Sequence, residues 1–518
     1  MTNIPHLRPT TREQVHHYFF LFSIAILVVG IPFSRFLMSL GGMLLTANWV
    51  AEGKYKEKWN AIVHNKALLV FLLLYGVHIV WLIYTFDINI GLQELLVKIP
   101  LLYLPVIFAS SQKINDKELS TLLKVYLYAM VMSIVWGWLT YKIKHLPDKR
   151  NMALYISYAR FAINICFSFV AAIYIAKNTD KWKQYFYIAL AIFFCFSLAY
   201  AGSLTALILV IAISIICGIK WAVESSNKMA KISAIGCLLA ICIFIFAWIG
   251  IKTYQYFHVD FDLHTAQTTT AYGHPYTHNY SDKDIENGSY IYTYVCEEEL
   301  AESWQQRSKI DFYGNDTNGF PIENTLIRYL NSKGLHKDKD GMAALTNTDI
   351  KNIENGIGNY HYTNRIGFVG RFYSTLWEIN SYLSTGYAKG HSMPQRFELW
   401  KTSCQVIKEH LFFGVGTGGA RHALKQKMIQ NNSQLQHSDM KSHNQYLSFL
   451  VSFGVIGFLI CMIAIFYPVI VQHNLPNLFK IFFIIVLIAM ITEDFLGQQD
   501  GATMFAFFYS LFLFLKKK

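Results

Sequence analysis

Two arginines and a histidine are the residues of this chain best suited to chemistry on a phosphate. Arg396 opens the stretch PQRFELWKTSCQVIKEHLFFGVGTGG, Arg160 lies in NMALYISYARFAINICFSFV, and His443 precedes Asn444 in KSHNQYLSFLVSFGVIG. A guanidinium presents a planar fork of donors that matches phosphate oxygens. An imidazole can accept a proton near neutral pH. An apolar run starts at Tyr446, so His443 and Asn444 sit at the first turn of an expected spanning helix. There, unpaired N–H groups and the helix dipole favour anions and an uncharged ring. Singly, each residue has a plainer reading: Arg160 as a snorkelling or structurally paired arginine, Arg396 as a solvated interface residue, His443 as a capping or packing histidine. Their common placement at one membrane face favours the chemical reading.

Six more residues are candidate substrate contacts: Arg35 in the turn IPFSR, Trp400, Gly414, Gly416, Asn444 and Glu493. Glu493, at the end of an apolar run, either orients a basic residue or caps in solvent. Gly414, Gly416 and Gly419 spell G-x-G-x-x-G, but behind an amphipathic helix and not behind a strand, which excludes a dinucleotide fold. A plain turn, the favoured reading, and backbone amides approaching a phosphate both stay open. There is no Walker lysine, no paired-carboxylate arrangement and no His/Cys metal spacing, so no metal, cofactor or nucleic acid is expected.

These residues must be positioned by membrane helices. With 518 residues, 53% of them hydrophobic and 16% aromatic, and a mean hydropathy of +0.30, the chain is too apolar for a soluble protein. The expected fold is an all-α polytopic membrane protein of about twelve spans: 17–31, 33–50, 67–86, 95–110, 119–141, 152–176, 184–201, 203–220, 231–251, 446–470, 478–493 and 501–515. Phe397, Trp400, Cys404, Ile407 and Leu411 recur at steps of 3 and 4, which predicts an amphipathic helix over 394–411 lying on the membrane surface.

Three segments follow: a membrane core over 1–251 with about nine spans, a large loop over 252–445, and a membrane segment over 446–518 with about three. Lysines after the second, fourth, sixth and eighth spans and at the C-terminus mark one side as cytoplasmic, with both termini there. The large loop, Arg35 and Arg160 then face the other side. Residues 252–395 carry 12 Lys+Arg against 17 Asp+Glu, and 396–445 carry 7 against 3, so the loop is charge-polarised. Its Tyr- and Asn-rich first part reads as a small folded domain with some strand, and the next part as short helices with glycine stops. Its Tyr and Trp residues could stack on sugars or sit at the membrane interface.

QRFELWKTSCQVIKEHLFFGVGTGG followed by HNQYLSFLVSFGVIGFL resembles the signature of the O-antigen ligase and polymerase superfamily, and SYARFAI and EDFLGQQDGATMFAFF resemble its membrane core. The resemblance implies a GT-C-like, metal-independent, inverting glycosyltransferase of the bacterial inner membrane with its large loop in the periplasm. It implies an undecaprenyl-diphosphate-linked glycan as donor and lipid A-core as acceptor, among membrane lipids. Arg160 and Arg396 would bind the diphosphate and His443 would act on the acceptor hydroxyl. Two arginines frequent in the family are replaced here by Leu204 and Gln498. Polymerase and protein-glycosylating members share the signature, and a non-enzymatic flippase or transporter is the alternative of another class.

Overall fold

The computed structural model describes residues 11–144, 149–203, 208–216, 218, 227–262, 264–281, 284–363, 367–472 and 474–516. Leu204 and six other residues of the expected 203–220 span (205–207, 217, 219 and 220) fall outside these residues, and 208–216 is helical. The chain divides into two compact units. The first is Met1–Leu198, Thr205–Ile213 and Arg396–Lys518; the second is Ala199–Leu204 and Ser214–Gln395. The division therefore falls inside the amphipathic helix, and residues 396–445 of the expected loop fall in the first compact unit.

The first unit holds α1 (Thr11–Phe33), α2 (Arg35–Glu52), α3 (Tyr55–Val63), α4 (Lys66–Val80), α5 (Ile88–Lys98), α6 (Pro100–Ser110), α7 (Asp116–Ile143), α8 (Tyr158–Lys177) and most of α9 (Lys181–Ala201). The second unit holds α10 (Lys228–Phe257), strands β1 (Thr277–Asn279), β2 (Ile285–Glu286), β3 (Ser289–Tyr290) and β4 (Tyr292–Val295), then α11 (Glu297–Gln305), α12 (Ile322–Ser332), α13 (Lys339–Ala343), α14 (Asn347–Glu354) and α15 (Gly367–Thr385). The chain re-enters the first unit within α16 (Ser392–Glu409) and continues through α17 (Ala420–Gln430), α18 (Gln445–Val471), α19 (Asn477–Thr492) and α20 (Gln499–Ser510).

Among the described residues, seven helices are long and apolar enough to cross a membrane, or eight if the 84° bent pair α3 and α4 is one span. Twelve were expected. The 33–50 segment is α2, which is not apolar enough over a full span, and 478–493 and 501–515 are apolar helices of fewer than 18 residues. At 1.5 Å per residue, the 16 residues of α19 reach about 24 Å, short of the ~30 Å hydrocarbon core.

The core of the first unit forms around α20 and the π-helical turn Leu511–Leu515 that continues it. Every residue from Asp500 to Leu515 is buried, as an apolar surface on all sides demands. Tyr509 stacks on Phe71 at 4.5 Å and Phe508 meets Phe167 at 4.6 Å. In the second unit β1 pairs with β4 and β2 with β3, both antiparallel. Ile291, Val295, Leu300, Trp304, Ile322 and Leu326 form its core, and α12 and α14 are followed by Gly334 and Gly356 at positive φ, as the glycine stops foretold.

Candidate functional site

Arg396, His443, Arg160 and Arg35 meet on one short segment, Glu493–Asp500, which joins α19 to the first turn of α20. Buried carboxylates need partners, and this segment supplies three of them, at Glu493, Asp494 and Asp500. Glu493 Oε1 accepts from Arg396 Nη2 at 2.7 Å, and Arg396 Nε donates to the Thr492 carbonyl at 3.2 Å. His443 Nδ1 lies 3.8 Å from the other Glu493 oxygen. Burial works against charge on Glu493, but the His443 ring and the Arg396 guanidinium outweigh it and hold the carboxyl below its ordinary value.

Arg160 is bound to the same segment from below. Nη2 donates to the Asp494 carbonyl at 2.8 Å, Nη1 to Ser157 Oγ at 2.9 Å, and Nε is 3.6 Å from Asp500 Oδ1. Asp500 also faces Arg35 at 3.9 Å, and Arg35 donates to Gln498 Oε1 at 2.8 Å. Where the family resemblance leads one to expect an arginine, Gln498 thus accepts a hydrogen bond from one.

Two expected positions need correction. Arg160 was placed about nine residues into its helix, yet α8 begins at Tyr158 and Arg160 is its third residue, because residues 153–157 are irregular and not helical. His443 was placed in the first turn of α18, yet Asn444 is the N-cap, its side chain accepting from Leu447 N at 3.0 Å. His443 precedes the cap at φ +48°, a left-handed conformation that aims its ring away from the helix axis and toward Glu493.

The glycine turn is a structural wedge. Helix α18 breaks at Gly454, at φ +61°, and the loop after α16 fills the break. Val415 and Gly416 donate to the carbonyls of Val451 and Ser452, both at 2.9 Å, while Val455 and Ile456 donate to Leu411 and Phe412 at 2.8 and 3.2 Å. The four backbone groups that an unbroken helix would pair internally are paired across the wedge. The remaining amides are also used: Gly414 on His410, Thr417 on Trp81, Gly418 on Thr85 Oγ1 and Gly419 on Gly416. The amides of Gly414 and Gly416, both expected as substrate contacts, thus pair with the carbonyls of His410 and Ser452. A side chain at Gly414 would lie 2.5 Å from the backbone of Phe453, so only glycine fits.

Helix α16 lies where its periodicity put it, with Phe397, Cys404 and Leu411 exposed and Leu399, Thr402, Ser403 and Val406 buried. Trp400 is half-buried, and its indole N–H has no partner among the described residues.

Residues 364–462 match the family model described as O-antigen ligase. The resemblance carried by the Arg396, glycine-turn and His443–Asn444 pieces is thereby borne out. No curated protein matches the chain. Together with the apolar helices, that match supports a multi-pass membrane protein and, in general, an O-antigen ligase- or polymerase-like function.

The spacing of charged residues left one part of this charged network unnoticed. Glu94 on α5 gathers Lys98 at 2.6 Å, Lys441 at 2.7 Å and Arg421 at 3.8 Å, and Lys441 also faces Asp494 at 3.6 Å. These groups line a cavity of ≈ 30 Å³ beside Thr417 and Phe453, room for about one or two waters. The i,i+4 pair Glu94 and Lys98 inside an apolar run was the available signal.

Proposed function

We propose that the protein is a glycosyltransferase that moves a glycan from undecaprenyl diphosphate to a lipid A-core sugar hydroxyl at the periplasmic face of the inner membrane. The observation that carries this reading is the convergence of Arg396 and His443 on Glu493, beside a paired network of arginines and carboxylates. Arg396 holds the diphosphate as it departs, through charge-assisted hydrogen bonds in a site of low dielectric. His443, with Glu493 behind it, takes the proton of the acceptor hydroxyl as its oxygen attacks the anomeric carbon from the opposite face, so that configuration inverts. Arg160, buried and held by Ser157, the Asp494 carbonyl and Asp500, positions the Glu493–Asp500 segment.

Purified protein with a defined lipid-linked donor and lipid A-core acceptor provides the test. Arg396→Ala and His443→Ala should each lower transfer by about 10²-fold or more, with protein still in the membrane; wild-type transfer by both variants overturns the assignment. Donor-linked products in a deletion strain separate the ligase from a polymerase. Long chains left on the carrier indicate a lost ligase, and single repeats a lost polymerase.

A further inference from the structure

The second unit carries a cluster of seven aromatic rings that its core does not use. Phe261, Tyr276, His278, Tyr280, Tyr290, Tyr294 and His336 are linked ring to ring: Tyr294 stacks on His336 at 4.3 Å and meets His278 at 4.8 Å, Tyr276 and Phe261 at 5.7 and 5.9 Å. Phe261 in turn reaches Tyr290 and Tyr280 at 5.8 and 6.1 Å. Val295 of β4 enters the core and Tyr292 packs against it, whereas Tyr294 lies outside that core and joins the rings. Six of the seven rings end in an O–H or ring nitrogen, and the outer ones are open, with Tyr280 51% exposed and the His336 side chain 44%.

Tyr294 adopts φ +54°, a left-handed conformation that a bulky residue seldom takes. It is held there from three sides. Its N–H donates to His278 Nδ1 at 3.2 Å, its carbonyl accepts from Lys337 N at 2.9 Å, and its ring lies flat on His336. Tyr276 is pinned by its hydroxyl to Asp338. Strain kept at a ring that packs no core is the mark of a surface built for contact.

We propose that this ring cluster is a saccharide-binding platform that holds a stretch of the glycan undergoing transfer. The inference rests on the glycosyltransferase reading for its ligand. The C–H faces of a sugar lie against the electron-rich ring faces, and its hydroxyls pair with the phenol and imidazole edges. The rim is acidic: Asp260 and Asp262 bracket Phe261, and Glu298 holds the neighbouring His274 at 3.0 Å. Within 252–395, acids outnumber Lys+Arg 17 to 12. An acidic rim is repelled by an anionic lipid surface and is indifferent to a neutral sugar.

The test uses full-length protein in detergent and, as probe, the lipid-free polysaccharide released by mild acid from the producing bacterium's lipopolysaccharide, with dextran as control. Saturation-transfer NMR should show sugar C–H contacts in the wild type and equally in His443→Ala. Tyr280→Ala and His336→Ala should weaken binding about fivefold without moving Tm. Tyr294→Gly removes both ring and strain, and should keep or raise Tm while losing the contacts. Unchanged contacts in these variants, no contacts in the wild type, or variants that lose only adhesion to phosphatidylglycerol vesicles each overturn the platform. If the rings bind polysaccharide but the protein transfers nothing from lipid-linked donor, the platform stands and the transferase reading fails.

Discussion

The Glu493–Asp500 segment and the glycine loop 411–419 lie in the same unit and hold their surroundings by opposite means. The segment works through side-chain charge, with Glu493, Asp494 and Asp500 gathering Arg396, His443, Arg160, Arg35 and Lys441. The loop works mainly through backbone, lending amides and carbonyls to the break in α18. Charges that converge from several helices can be rearranged by an incoming anion. Backbone pairs that complete a helix cannot be given up so cheaply, because each orphaned group in an apolar setting costs several kcal/mol. Chemistry is therefore expected of the segment, and shape of the loop.

Substitutions can break that division. The largest effect is expected from Asp500→Ala, which leaves the Arg160 guanidinium buried without its counter-charge, at about 3–5 kcal/mol; the check is thermal unfolding of the purified protein, and a Tm equal to wild type would show that the pair does not hold the segment. Gly414→Ala forces a Cβ into α18 in a left-handed conformation and should cost about 2 kcal/mol or more. A variant of normal stability that had lost transfer would mean that the loop meets substrate after all.

Acid pH sharpens the contrast. The folded Glu493 carboxyl titrates below its ordinary value of 4.5, so its contribution to stability is complete above that value and is lost as pH falls through the folded one. Tm followed downward from about pH 6 should show an acid-side decline that is smaller in Glu493→Gln. The smallest effect belongs to Asn444→Ala, which removes the α18 cap at about 1 kcal/mol and should leave the pH profile of transfer unchanged.

Local periodicity made helix α16 legible, since the 3-and-4 spacing of Phe397, Trp400, Cys404 and Ile407 is fixed by the helix itself. The site residues were legible by type, for cations near apolar runs need partners wherever they fall. Their partners were not. Arg160 finds Asp500 and Arg35 finds Gln498 across hundreds of residues, and no spacing rule reaches that far. The depth of Arg160 was misjudged because an apolar run does not say where its helix begins; the chain stays irregular until Ser157. The G-x-G-x-x-G string was recognised as no nucleotide motif, but which carbonyls its amides would meet depended on a break at Gly454 that the apolar run around it conceals.

The filled break in α18 also bears on leakage. A bent spanning helix ordinarily needs water or a hydroxyl to satisfy its freed carbonyls, and such water is the start of a wet path through hydrocarbon. Here the freed carbonyls of Val451 and Ser452 are satisfied by peptide from the same chain. The bend is completed by backbone, so an apolar helix can turn at Gly454 without recruiting a solvent molecule to those two carbonyls.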